Sequence, residues 1–505
     1  MSLPQRQTQQ RGMATLFLVI TLLMGAAAVF FSLLTAPPPE IERDRKTEEA
    51  LAQAKAALIG HAVSLPVYSG NSPPNRLGDL PCPDTNNDGI AESSSCGNAA
   101  GTTGQALRLG RLPWRTLGLP DLRDGDGERL WYAVSNNFKN NTRTNCNLPG
   151  NTGCLNSDTR GTITIRNSAN NIIYDASNTD PAASGVIAVI FAPGAALRRQ
   201  GAAAVQDRTC TFALCTGIDQ DVCNAPVTNA PKCNPANYLD TNGTEDNKDF
   251  IDGSATNGFI QGIILDASGN VIVNDRAMLI TYQDIMPQLE KRVAAEALKC
   301  LTSYANANGG RYPWAAPVTT VSGPFDGVIN TLFGRMPDSP LLQTQLGIIP
   351  PTDPVGPALQ TACNSTPAQC MGADWPASCP LLGVPAAPVW WNHWKLHVFY
   401  GFADAYKPLI SFTQPTPITV LLGGITPPTG CPNCITIDPP SFTADKRVTV
   451  IIAGRQLPTI AGGQPRTGTV NRQNPANYLE GGNDSYPTFT QQPGSATFND
   501  MVIFK

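Results

Sequence analysis

Histidine occurs only three times in 505 residues, and charged side chains make up just 15% of the chain. His393 and His397 stand in the run HWKLH, which lacks the glutamate of a metalloprotease signature. No G-x-S-x-G elbow, phosphate loop or dinucleotide fingerprint is present, so no catalytic constellation is legible. A formal net charge of -4 argues against a phosphate-tracking surface, and nucleic acid is not an expected partner. Long apolar runs are missing too, with one exception: residues Ala14 to Ala36 carry no charge. At about 1.5 Å rise per residue that run is long enough to cross a hydrocarbon core of roughly 30 Å.

Glycine and proline are abundant, 45 of each, a composition suited to short strands and long ordered loops. The length calls for about two or three domains. Fourteen cysteines fall mostly in close pairs: Cys82/Cys96, Cys146/Cys154, Cys210/Cys215, Cys223/Cys233, Cys363/Cys370 and Cys431/Cys434. Cys300 and Cys379 remain for a longer loop. Local staples in an oxidising compartment are the expectation, although spacing does not dictate connectivity. Cys431-Pro432-Asn433-Cys434 has the redox C-x-x-C spacing, but it lies in a proline-rich turn with no second such motif, which favours a structural disulfide.

Arg6 and Arg11 precede the apolar run and no acidic residue does, which leaves the short tail in the cytoplasm and sends the rest outward. A cleaved secretory signal and a plain anchor are the competing readings; cleavage after Ala36 would leave Pro37 next to the cut. The stretch Gln10-Arg11-Gly12-Met13-Ala14-Thr15-Leu16 resembles the class III signal of type IV pilins and pseudopilins. The resemblance implies cleavage by a prepilin peptidase after Gly12, methylation of the new N-terminal Met13, and packing of the mature helix against other pilins or pseudopilins. Most of that family carries glutamate at the fifth mature position, where this chain has Phe17. Minor pilins of the kind that share this QRG-led apolar opening, and the large tip pseudopilin of type II secretion, likewise lack it. The implied protein is a non-enzymatic subunit at or near the tip of a filament. It starts as a single-pass protein of a bacterial inner membrane with a periplasmic head, active in filament initiation, adhesion to a host surface or contact with secreted cargo. The rival is a signal-anchored periplasmic enzyme or ligand-binding protein.

Beyond Pro37-Pro38-Pro39, a helix is expected from Glu40 to Val63 with a stripe at Leu51, Ala54, Leu58 and Ala62. The chain then repeats itself. Asn234-Pro235-Ala236-Asn237-Tyr238-Leu239-Asp240 returns as Asn474-Pro475-Ala476-Asn477-Tyr478-Leu479-Glu480. A second helical stripe, Leu289, Val293, Ala297, Leu301 and Tyr304, is introduced by Pro287 as a first-turn residue. Arg129-Leu130-Trp131-Tyr132 aligns with Lys395-Leu396-His397-Val398, and Val186 to Ala192 with Val448 to Ala453. Final strands are entered through Asn274-Asp275 and Asn499-Asp500. The predicted fold class is α+β, with tandem helix-on-antiparallel-sheet modules. The organisation is a leader at 1–12, a transmembrane helix at 13–36, a first pilin-like module at 37–284 and a second module at 285–505.

Asp84-Thr85-Asn86-Asn87-Asp88-Gly89 matches the D-x-N-x-D-G opening of a calcium loop, with Glu92 able to complete Asp84, Asn86 and Asp88 as ligands. The alternative is an Asx-rich turn. Two further acidic groups, Asp121 to Glu128 and Asp240 to Asp249, read as turns. The aromatic residues Trp390, Trp391, Trp394 and Tyr400 read as a strand or loop packed around the two histidines.

Overall fold

The computed structural model describes residues 17–24, 39–66, 76–92, 96, 105–139, 154–199, 204–211, 214–216, 221–223, 230–240, 246–323, 325–328, 330–338, 375–379, 381–382, 389–408, 430–431, 433–438, 441–458, 460 and 463–505. Residues 17–24 are helical and exposed, and among the described residues no helix is long and apolar enough to cross a membrane. The cleavage junction Gly12-Met13 lies outside the described residues, as does most of the apolar run.

Two helices of 26 residues, Pro39–Ser64 and Tyr282–Ala307, each introduce a four-stranded antiparallel sheet. The first helix buries Thr47, Ala50, Leu51, Ala54, Leu58 and Ala62, the period of a one-sided amphipathic helix. The second buries residues at all six matching positions, Glu290, Val293, Ala294, Ala297, Leu301 and Ala305, and others besides. It begins at Tyr282 because Thr281 and Asp284 form a capping box. Pro287 therefore sits inside the helix and not in its opening turn, where the sequence reading placed it. It lies near enough to the start that the lost amide bond falls close to donors the helix cannot satisfy anyway.

The first sheet runs Leu109–Arg111, Trp131–Val134, Ala188–Ala192 and Arg276–Ile280 in spatial order; the second runs Phe333–Arg335, Val398–Phe402, Val448–Ile452 and Met501–Phe504. All neighbouring pairs are antiparallel. Each sheet is backed by a three-stranded one that is built alike. Ile165–Asn167 pairs antiparallel with Ile172–Tyr174 and parallel with Phe259–Gln261; Ile435–Ile437 pairs antiparallel with Ser441–Lys446 and parallel with Thr488–Phe489. The order along the chain in which strands join the large and small sheets is the same in both halves. The change from sheet to helix falls at Thr281, just before Asp284.

Alternation distributes the side chains. Tyr132 and Val134 face the helices, while Trp131 and Ala133 join Ile163, Ile165, Tyr238 and Phe259 under the small sheet. Tyr400 and Phe402 face the helices in the second half, and Phe399 joins Ile435, Ile437, Tyr478 and Phe489. The helices pack on each other as well as on their own sheets, so one apolar core runs from the first sheet through both helices to the second.

Register corrects one detail of the repeat. Trp131 pairs with Phe191 and Phe399 with Ile451, so Trp131-Tyr132 corresponds to Phe399-Tyr400, two residues beyond the alignment drawn from sequence. A two-residue slip leaves the inward and outward faces unchanged, which is why patterning does not detect it. The tyrosines settle the matter: Tyr132 donates to Pro81 O at 3.2 Å, and Tyr400 donates to Pro313 O.

A second repeated motif, Gly110-Arg111-Leu112-Pro113 and Gly334-Arg335-Met336-Pro337, pins each sheet edge. The backbone of Arg111 exchanges two hydrogen bonds with Asp84, and that of Arg335 two with Ala316. Both glycines are required by close approach, since a Cβ would lie 2.6 Å from Asp84 O or 2.0 Å from Ala316 O. Arg111 is buried with its guanidinium over Trp131 and Tyr238, at 4.1 and 4.0 Å, and Arg335 lies over Phe399 and Tyr478 at 4.5 and 4.7 Å. Each also donates to carbonyls, Arg111 to Arg129 O and Lys232 O, Arg335 to Val318 O, Leu396 O and Arg472 O. Arg335→Ala leaves those buried carbonyls without donors and is expected to cost roughly 3 kcal/mol, measured as a loss of thermal stability. A wild-type melting curve would contradict this account.

Candidate functional site

The Asp84 loop closes on its own amides. Asp84 Oδ1 accepts from the backbone N–H of Asn86, Asn87 and Asp88 at 3.1, 2.6 and 3.3 Å, and Oδ2 from Gly89 N at 2.6 Å. Asp88 accepts from Ile90 N, Asn86 Oδ1 from Asp88 N, and Glu92 from Thr85. Asn87 and Gly89 take positive φ, as the tight turn demands. Burial raises Asp84 to about 7, with the Gly89 amide opposing the rise and Asp88 adding to it. Among the described residues no group of three or more His, Cys, Asp or Glu side chains is placed to hold a metal ion. The loop is an Asx-rich turn in which the Asp84, Asp88 and Glu92 carboxylates and Asn86 Oδ1 accept from loop donors, while Asn87 Oδ1 is buried with no hydrogen-bond partner among the described residues. Cys82 and Cys96 are bonded across its base.

The other described cysteines are also bonded: Cys210–Cys215, Cys223–Cys233, Cys300–Cys379 and Cys431–Cys434. Cys154 is disulfide-bonded, whereas Cys146, Cys363 and Cys370 lie outside the described residues. The C-x-x-C disulfide sits in the turn before the Ile435–Ile437 strand. Loop length separates these bonds in consequence. Cys300 and Cys379 close 79 residues of chain, and breaking that bond by Cys300→Ser with Cys379→Ser should cost about 4 kcal/mol, against about 2 kcal/mol for Cys431→Ser with Cys434→Ser. Parallel denaturant titrations compare the two, and equal losses would refute the ordering.

The acidic groups resolve into turns and ion pairs. Asp124 accepts from Asp126 N, Glu128 N and Gly194 N, while Asp121 pairs with Arg123 and Arg129. Asp240 pairs with Arg199 and Lys248, and Asp246 with Lys248; Asn242 and Glu245 lie outside the described residues.

His393 and His397 do not share a helix face. Val389–Trp394 is a short helix, not the strand or loop expected, and His397 follows it. Both rings are turned instead onto a strap from the first half. Leu155 N donates to His393 Nδ1 at 3.1 Å, and Asn156 Nδ2 to His393 O at 3.0 Å. Asp158 lies 3.1 Å from His397 Nε2 and accepts from Arg466 Nη1 at 2.9 Å and Gln456 N at 3.0 Å. Tyr282 donates to Ser157 O at 2.8 Å. Burial works to raise Asp158, but Arg466 and His397 hold it well below the ordinary carboxylate range. Burial lowers His397, with Asp158 opposing, and burial lowers His393 strongly. Neither the strap nor its partners form a recognisable sequence motif.

The strap also covers Glu290 on the second helix. Burial pushes Glu290 up to about 8, Ser157 and Arg466 oppose that rise, and Asp158 adds to it. A carboxyl whose folded pKa is raised favours the native state below its unfolded value near 4.5, and that contribution is lost as pH climbs to about 8. Glu290→Gln removes the titration, so the variant's stability relative to wild type should climb between pH 5 and 8, by at most about 1.4 kcal/mol per unit. Melting temperatures across that range test it, and a constant difference would exclude the assignment.

The repeated Asn-Pro-Ala-Asn-Tyr-Leu turn serves the same purpose in both halves. Asn234 and Asn474 cap their turns by accepting from Ala236 N and Ala476 N. Arg208 donates to Asn237 O, Gly194 O and Gln206 Oε1, and Arg466 to Asn477 O, Gly454 O and Gln464 Oε1. Asn247 bonds Asp275 as Asn483 bonds Asp500.

Comparison of this chain with models of protein families, with curated proteins and with solved structures finds no match.

Proposed function

We propose that this chain is a non-enzymatic minor pilin or pseudopilin-like subunit, held in a bacterial inner membrane by its apolar N-terminal segment and placed at or near the tip of a filament. The observation that carries this reading is the junction of a basic leader ending in Gly12 with an uncharged run beginning at Met13. It is supported by the course of the chain after that run, where the Pro39–Ser64 helix lies across a four-stranded antiparallel sheet, the arrangement the resemblance implies. The disulfides suit a periplasmic head.

Phe17 argues for the end of the filament. An internal subunit uses a carboxylate at that place to pair a neighbour's amine in an apolar surrounding, where an unpaired charge is costly. A subunit with no neighbour above it needs none. The size of the head points the same way, because two joined modules would crowd a helical stack but not its terminus. Initiation, adhesion or cargo contact then follows from the position, and none of these requires the Asp84 loop to hold calcium.

Co-expression of the full chain with a prepilin peptidase in a bacterial host tests the reading. The mature protein should begin at Met13 with a methylated amine, and Gly12→Val should leave the leader attached. An intact leader on the wild-type chain would overturn the proposal.

A further inference from the structure

In each half a connection runs from the small sheet to the last strand of the large one, through 262–273 and Asn274-Asp275 in the first and through 492–498 and Asn499-Asp500 in the second. They are equivalent segments. Gln261 donates to Ala277 O as Gln491 does to Val502 O, and Asn274 to Ala195 O as Asn499 does to Arg455 O. Their content differs. The first folds into a hairpin, Ile264–Leu265 against Val271–Val273, and alternation turns one apolar facet outward. Ile263, Leu265 and its cross-strand partner Val271 are 54%, 56% and 38% exposed. The second connection, described along its whole length, exposes only Gln492, Pro493, Gly494, Ser495, Ala496 and Thr497, and its one large apolar residue, Phe498, is buried.

The facet lies where the chain enters the head. Arg276, the first residue of its strand, pairs with Asp44 at 2.6 Å and Glu48 at 3.5 Å, so the hairpin springs from the end of the sheet at which the Pro39–Ser64 helix begins. Ile263 shares a cleft there with Glu40, Arg43 and Asp44. Ile41, 57% exposed, precedes Asp44 and Glu48 at helical spacing and so stands on the stripe that meets Arg276. Only Pro37 and Pro38 separate that helix from the uncharged run ending at Ala36, a reach of at most about 11 Å. The polar layer outside a hydrocarbon core is itself roughly 5 to 8 Å thick. With the run across a bilayer, the hairpin and the first turn of the helix stand beside the lipid headgroups.

We infer that the facet of Ile263, Leu265 and Val271, with Ile41 beside it, is a membrane-contact surface that seats the head on the bilayer next to its own anchor. This rests on the membrane reading of the apolar run and not on the filament reading. The occupant is the lipid interface: the apolar side chains enter the boundary between headgroups and acyl chains, and the polar turn at 266–270 stays among the headgroups. Charge does not select the lipid. Asp266, the one charged residue of the hairpin, accepts from Ser268 N, Asn270 N and Asn270 Nδ2, and on the adjoining helix Arg45 pairs with Glu42 and Glu49, and Arg43 with Asp126. Zwitterionic phosphatidylcholine therefore suffices. The half that carries the anchor has the facet and the half without one does not, which ties the apolar content to the bilayer and not to the shared fold.

The test reconstitutes the full chain in phosphatidylcholine nanodiscs doped with a phosphatidylcholine that carries a diazirine near its headgroup. After irradiation, lipid adducts are located by mass spectrometry of the digested protein. Adducts at 263–271 should outnumber those at 492–498 at least fivefold, and should fall at least fivefold in the variant combining Ile263→Ser, Leu265→Ser and Val271→Ser, with labelling of 14–36 unchanged. All three side chains are exposed, so the variant should melt with wild type; Leu265→Ser alone takes its place if it does not. Labelling of 14–36 without an excess at the hairpin, or hairpin labelling that the serines leave unchanged, would overturn the inference and leave the anchor standing, the facet then being covered by another segment of the chain or by a protein partner. Absence of adducts on 14–36 would remove the anchor and the inference together.

Discussion

Burial of the second long helix on more than one side is the constraint from which the architecture follows. The first helix is one-sided: its solvent face carries Glu42, Arg45 and Glu49 in a short ion-paired row, and its buried face is mostly alanine and leucine. The second buries Ile285, Met286, Leu289 and Cys300 in addition to the positions it shares with the first. It needs three surfaces to cover it, namely its own sheet, the first helix and the strap around Asp158. Alanine on the contacting faces lets the two helices approach closely, and the sheets close over them from outside. Two units that each resemble a complete module thereby share a single interior.

Polar groups give that interior its geometry. Arg111 and Arg335 fix each sheet edge to the Asn-Pro-Ala-Asn-Tyr turn through stacked rings and carbonyls, and Arg208 and Arg466 hold the turn to the strand end. Arg466 has a further partner, Asp158, where its counterpart Arg208 has Glu128 from its own half. Equivalent arginines are thus answered locally in one case and across the junction in the other. The ion pairs Arg455–Asp180 and Lys55–Asp284 also join the two halves.

Much of this could be read from the chain, and the failures share a cause. Helical stripes and the heptapeptide repeat are local signals, so Leu51 to Ala62, Leu289 to Tyr304 and both Asn-capped turns lie where periodicity and identity placed them. The pairing of Tyr132 with Tyr400 was missed because strand alternation has a period of two, and the Gly-Arg-x-Pro repeat that would have fixed it is short. The strap, the buried Glu290 and the parallel edges of the small sheets arise from contacts between residues far apart in sequence, and no composition or spacing announces them. The hairpin at 262–273 is a subtler case: only the comparison of one half with the other makes its apolar facet distinctive.

The link at Thr281 has a mechanical meaning. The strand that ends at Ile280 passes almost at once into a helix buried on more than one side, so there is little slack between the halves. Load entering through the first helix reaches the second half along a strand held by five consecutive residue pairs to Ala188–Ala192, a geometry that shears as a unit and does not peel one bond at a time. Under tension the two halves would behave as one stiff body, with little lost to motion at their junction.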